Sequence, residues 1–195
     1  MTGVQTCALP ISAMATPVFN SEKSLQAVLY IANRVERKDF HKIFKVLYFA
    51  DREHLIKYGR PITGDTYIAM KDGPVPSKID DIFKAVRGDS YFAKYADIAK
   101  FSELFSVHDW YFILPKKEAN LYYLSKTDIA ELDDSIAKYG SMAWEELREK
   151  SHDYAWHATA KDRPIAVADI MREDGADEEF INHVTSLMDF QKACL

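Results

Sequence analysis

The sequence predicts a single α-dominated α+β domain, with about seven helices around a small antiparallel β-sheet or hairpin. Three observations carry that expectation. Two adjoining segments, 21–37 and 39–58, repeat apolar residues at helical spacing. Short runs rich in β-branched and aromatic residues, such as 66–70 and 105–114, lie between turn residues. The chain has 195 residues, 48% of them hydrophobic, enough for one sizeable core.

The first residues are set apart from the rest. MTGVQTCALPI lacks the basic start and long apolar stretch of a signal peptide. It resembles the translation of a common sequencing-adapter read. Residues 1–13 are therefore expected to be an adapter-derived leader, with the native start near Met14.

The first helix is expected over 21–37, with Leu25, Val28, Leu29, Ala32 and Val35 on one face. A short polar link leads to the second. There Asp39 suits the N-cap, and Phe40, Ile43, Phe44, Leu47, Tyr48, Leu55 and Tyr58 form an apolar stripe. Gly59 is placed to end this helix and Pro61 to prevent its resumption. The loop GRPITGDT follows, then a strand over Thr66–Met70. After KDGPVPS, Pro76 opens a helix carrying Ile79, Ile82, Phe83 and Val86, closed by Gly88. A short helix is expected from Asp89 to Tyr95. Strands over Phe105–Leu114 and Leu121–Leu124 would make a hairpin around the loop 115–120, joining Thr66–Met70 in one sheet. Ser125 and Asp128 have capping-box spacing and open a helix that ends at Gly140. Ser141 is expected to cap the next helix, through Lys150. One or two turns over 151–158, a short helix over Val167–Glu173 and a last helix capped by Asp177 complete the chain. Residues 176–195, the C-terminal helix, are the part expected to be partner-specific, and 14–175 the domain itself.

Composition narrows the function. The net charge is −5 and the pI near 5.7, which excludes a general nucleic-acid binder with a basic face. No apolar run approaches the roughly 18–20 residues that span a bilayer, so no membrane partner is expected. Cys7 and Cys194 build neither a disulfide framework nor a thiolate metal site, which points to a reducing cytoplasm.

The polar residues that interrupt apolar stripes are the candidates for chemistry. Asp51 and His54 lie three apart on one helix face, and His152, Asp153 and His157 follow far downstream. Such a set can ligate a metal or serve a small metal-dependent enzyme. A buried hydrogen-bonded network uses the same residues without either, and is the expectation: a structural network of Asp51, His54 and His152, with no catalytic residue, no metal and no cofactor. Neither HExxH nor paired Cys-x-x-Cys is present. GRPITG fails the phosphate-loop pattern, since no Lys-Ser/Thr follows its second glycine. No G-x-S-x-G elbow marks a serine nucleophile. Arg60 and Lys71 are cations at the rim of a rigid loop and strand. Trp110 and Tyr122 lie on the expected hairpin, where alternation prevents every aromatic from facing one core. With Asp65 and Tyr67, these four are the expected partner-binding residues.

The stretch from Tyr48 to Phe83 resembles the Panacea domain, also called the SocA-like antitoxin domain. The likeness rests on Tyr48-Phe49-Ala50-Asp51, on Gly59-Arg60-Pro61-Ile62-Thr63-Gly64-Asp65 and on Gly73-Pro74-Val75-Pro76, with Ser151-His152 as a downstream element. It extends over about 21–175. The resemblance implies an antitoxin of a bacterial or phage toxin–antitoxin pair. Such a protein neutralises, without catalysis, a cognate protein toxin encoded next to it. The alternatives are an adaptor that delivers its partner to proteolysis, and the small metal-dependent enzyme named above.

Overall fold

The computed structural model describes residues 19–92, 98–173 and 175–193. Residues 1–13, expected to be a leader, and both cysteines lie outside them. The described residues form an α-dominated α+β domain of nine helices and two antiparallel hairpins. None of these helices is long and apolar enough to cross a membrane.

Helix α2 (Phe40–Tyr58) is the central element, starting and ending where the sequence places it. Asp39 accepts a hydrogen bond from Lys42 N at 3.0 Å, and Gly59 adopts φ 68° at the C-terminus, donating to the Leu55 carbonyl. It is more than the amphipathic helix expected, because 14 of its 19 residues are buried. Helix α1 (Ser21–Ala32), α3 (Ser77–Val86) and the hairpin of β3 (Phe105–His108) and β4 (Phe112–Pro115) pack one side with Ile43, Phe44 and Leu47. Strand β1 (Tyr67–Met70) and helices α6 (Trp144–Ser151), α8 (Val167–Glu173) and α9 (Glu178–Ala193) pack the other with Tyr48, Phe49 and Leu55. Helix α5 (Lys126–Tyr139) lies along α2 and α1. A helix covered on every face buries its polar residues as well. Lys42, Lys45, Asp51, Arg52 and His54 are all buried, so each needs a partner.

Helix α1 is shorter than its apolar pattern. It stops at Ala32 because the Asn33 side chain donates to the Lys117 carbonyl and to Glu118, while Val35 turns back into the core. The expected helix at 89–95 falls partly outside the described residues. What is described there is a turn, and α4 (Ile98–Ser102) follows. Helix α6 begins at Trp144 with no side-chain cap, so Ser141 does not serve as one. The preceding turn is held by Lys42, whose Nζ donates to the Tyr139 and Met142 carbonyls. The Ser125–Asp128 capping box of α5 is present.

The strands depart most from expectation. They form two separate hairpins, β1 with β2 (Gly73–Pro76) and β3 (Phe105–His108) with β4 (Phe112–Pro115). Prolines 74 and 76 are tolerated in β2 because they oppose Ala69 and Tyr67, positions that exchange no ladder hydrogen bond across the hairpin. The outer edge of β1 bonds the 162–165 segment, with Ala69 N donating to the Arg163 carbonyl and Ile165 N to that of Tyr67. The second hairpin turns at 109–111 rather than at 115–120, because Asp109 and Trp110 both take positive φ. Leu121–Tyr123 is a 3-10 turn capped by Asn120, not a strand.

Gly73 requires its missing side chain. Its φ is +96°, and a Cβ there would come within 2.3 Å of Ser151 Oγ and 2.7 Å of Lys45 Cε. Gly88 has a similar φ of +101° with nothing within 4 Å. Gly88→Ala is expected to cost about 1–2 kcal/mol of backbone strain alone. Gly73→Ala should cost that and about 1–3 kcal/mol more from overpacking. Urea denaturation of the two variants measures the difference.

Candidate functional site

The polar residues of the central stretch make three buried clusters on α2, each tying the helix to a different part of the chain. Asp51 is the first. Its Oδ1 accepts from the backbone N–H groups of Ile62 (2.6 Å) and Thr63 (3.0 Å). Its Oδ2 accepts from Thr63 Oγ1 (2.6 Å) and Tyr67 Oη (2.8 Å). Burial pushes the carboxyl above its ordinary value, and the four donated bonds oppose that shift. Amide N–H groups can only donate, so Oδ1 is held as an acceptor. One side chain therefore fixes the loop 59–66 and the start of β1 against α2. The loop in turn supplies Asp65. Its carboxylate accepts from Lys78 N (3.1 Å) and Ile79 N (2.9 Å), capping α3 from twelve residues before the helix begins.

The second cluster is centred on His54, which is fully buried. Its Nδ1–H donates to the Arg60 carbonyl at 2.7 Å, leaving Nε2 to accept from Thr127 Oγ1 at 3.0 Å. Burial lowers its pKa, while the bond to the Arg60 carbonyl and the Asp128 carboxylate, 3.2 Å from Nε2, act against that shift. Arg60 turns inward over it, pairing with Asp128 at 3.1 Å and donating to Ser125 Oγ. Lys23 closes on the other oxygen of Asp128 at 2.8 Å. Asp128 accordingly sits below its ordinary pKa, through its bonds from Lys23 and Ser125, although burial acts against them.

The third cluster joins α2 to the segment after α6. Tyr48 Oη and Arg52 Nη1 both donate to Asp153 Oδ2, at 2.7 and 3.2 Å. The other oxygen of Asp153 caps helix α7 (Tyr154–His157) at Trp156 N.

His152 joins none of these. Its ring lies flat on Trp156, with centroids 3.7 Å apart, and its buried Nε2 has no partner among the described residues. The network expected for Asp51, His54 and His152 is thus divided. Asp51 and His54 hold separate parts of the chain, and the neighbour of His152, Asp153, reaches α2 at Tyr48 and Arg52 rather than at Asp51. Of the residues expected to meet a partner, Asp65, Tyr67 and Arg60 are bonded inward, and Tyr67 is buried. Lys71, Trp110 and Tyr122 are exposed, Trp110 by 68% and Tyr122 by 93%. Among the described residues no group of three or more His, Cys, Asp or Glu side chains is arranged to hold a metal ion.

Sequence reasoning missed Lys45. Its Nζ is buried and donates to the Pro74 carbonyl at 2.7 Å, pinning the β1–β2 hairpin to α2. A lysine inside the run Ile43-Phe44-Lys45-Val46-Leu47 was the available signal. Burial lowers its pKa to about 7, with Asp72 acting against that shift. His41, one turn earlier, and His152, at the end of α6, add like charge when protonated.

Two outcomes follow from this geometry. Asp51→Leu is expected to destabilise the fold by about 2–4 kcal/mol, by stranding two buried amides and two hydroxyls. Thermal melts measure it, and an unchanged Tm rules the clamp out. Lys45 sets a pH dependence. The unfolded chain keeps this proton up to about pH 10.5 and the folded chain only to about 7. Stability should therefore rise between those values and not below them. Lys45→Met should remove that rise, read from urea midpoints between pH 6.5 and 9.5.

Comparison with known proteins agrees with the central position of these clusters. The family model described as antitoxin SocA-like, Panacea domain, matches residues 43–157, more than half of the chain. That span runs from the first turn of α2 through α7 and contains the three clusters except for Lys23. No curated protein and no solved structure matches the chain. The chain therefore belongs to the family of SocA-like antitoxins that carry the Panacea domain.

Proposed function

We propose that this chain is the antitoxin of a toxin–antitoxin pair and neutralises its cognate toxin, the product of an adjacent gene, by direct binding. The family match across 43–157 carries the proposal. The chemistry of the clusters supports binding over turnover. The charged and hydroxyl groups of Asp51, His54, Tyr67, Asp128 and Asp153 are engaged in bonds that hold backbone and helix ends in place. Their work is to make the surface rigid, which lowers the ordering cost of binding. An interface of ordinary size, roughly 1,200–2,000 Å² in total, is sufficient for stable inhibition.

The test is co-expression with each flanking open reading frame. One neighbour is expected to arrest growth alone, and this chain to restore growth and to co-purify with it. Immunoblotting of the neighbour distinguishes the mechanism: a steady level shows inhibition by occupancy, and disappearance shows delivery to proteolysis. If no neighbour is toxic, the proposal fails.

A further inference from the structure

The non-glycine residues with left-handed backbone, among those described, are Asp109 (φ 44°), Trp110 (φ 67°) and Asp162 (φ 58°). The adjacent pair 109–110 and Asp162 are far apart in sequence, yet they flank one groove of about 480 Å³. Asp162 and Tyr111 line it, and Asp109–Trp110 form the turn that delivers Tyr111. Backbone strain of this kind persists only where the surroundings impose it, and it concentrates at functional sites. Here the surroundings are visible. Arg87 donates to the Trp110 carbonyl at 3.1 Å and stacks over its ring. Phe40 N donates to the Tyr111 carbonyl at 2.8 Å, anchoring the hairpin tip to the start of α2. The product is a held turn that exposes Trp110 by 68% and Tyr111 by 60%. Trp144 faces the groove from α6, its ring stacked on His41. Rigid exposed aromatics are the residue types that dominate binding energy at protein interfaces.

The charges indicate what the groove receives. The chain is acidic overall, with 30 Asp and Glu against 25 Lys and Arg. The groove is not. Its lining carries four lysines against three aspartates. The aspartates are paired: Asp80 with Lys84, Asp72 with Arg148 and Asp162 with Lys161. Lys71, at the tip of the β1–β2 turn, is exposed and forms no ion pair among the described residues. With Lys45 buried and the other charges of the lining paired, the groove offers one exposed, unpaired cation among the described residues, too little for a nucleic-acid backbone; beside aromatic anchors it suits a protein segment with one acidic residue.

We infer that this groove, between the 109–111 turn, the β1–β2 turn and the start of α6, is where the toxin docks, by a segment that sets apolar side chains against Trp110 and Tyr111 and a carboxylate against Lys71. The inference rests on the antitoxin reading above and adds the surface and the chemistry of the segment.

Trp110→Gly and Lys71→Glu test it, with the growth-arresting neighbour as the probe and Tyr122→Ala as a variant outside the groove. Glycine accepts the φ of position 110, so Trp110→Gly should fold with an undiminished Tm. It should bind the toxin at least tenfold more weakly and fail to rescue growth. Lys71→Glu should weaken binding at least tenfold at low salt and flatten its salt dependence. Tyr122→Ala should bind as wild type does. If both groove variants bind like wild type while the wild-type chain still neutralises the toxin, the docking surface is overturned and the antitoxin reading stands. Loss of binding in Tyr122→Ala alone overturns it in the same way. If Trp110→Gly instead converts a dimer to a monomer in sedimentation without weakening toxin binding, the groove joins two copies of this chain and the inference is overturned. If the wild-type chain neutralises no neighbour, both readings fall together.

Discussion

A buried carboxylate organises this protein. Asp51 lies where α2 has packed elements on every side, so its buried oxygens need donors all round them. Two amides, a threonine hydroxyl and a tyrosine hydroxyl supply them, and three of these four groups come from the loop after α2. The loop is thereby held tightly enough for Asp65 to act as a remote cap on α3. Helix, loop, strand and second helix thus depend in sequence on one side chain. His54 and Asp153 repeat the arrangement at other points along α2, and Lys45 repeats it with the opposite charge. Helix α2 works as a central post with polar ties, at a desolvation cost that the bonds offset.

Much of this is legible in sequence where the signal is local. Asp39, Gly59, Ser125 and Asp128 mark helix ends through bonds that span three or four residues, and the structure has them there. The motif around Asp51 stands out because Gly59, Pro61 and Gly64 have few other uses than turns. Signals fail where the partner is distant. Nothing adjacent to Thr66–Met70 says that its outer edge will bond the 162–165 segment, some 95 residues later. Periodicity marks apolar faces, so it cannot foresee a helix such as α2 that is buried on all of them. Lys45 is invisible to a count of apolar residues for the same reason.

The division of Asp51, His54 and His152 has a similar origin. Spacing on a helix shows that two side chains share a face but not that they share a partner. One turn of α2 is enough to move from the loop at Ile62 to the N-terminus of α5 at Thr127. His152 and Asp153 are neighbours in sequence, yet the end of α6 directs one onto Trp156 and the other onto Tyr48. The family resemblance carried the functional reading past this point, because shared motifs record a whole arrangement that single spacings do not.

The three turns around the groove are each secured behind their tips: 109–111 by Phe40 and Arg87, 71–72 by Lys45 on Pro74, and 161–162 by the edge of β1. Apart from the Trp110 ring under Arg87 and Tyr111 against Phe40, those anchors run through the backbone rather than through the side chains at the tips. Diversity can therefore accumulate at the tips without disturbing the post that holds them, as it does in the hypervariable loops of an antibody domain. If the groove is the docking surface inferred above, exchanges at the exposed tips 71 and 161 would alter recognition while leaving the ties of α2 in place.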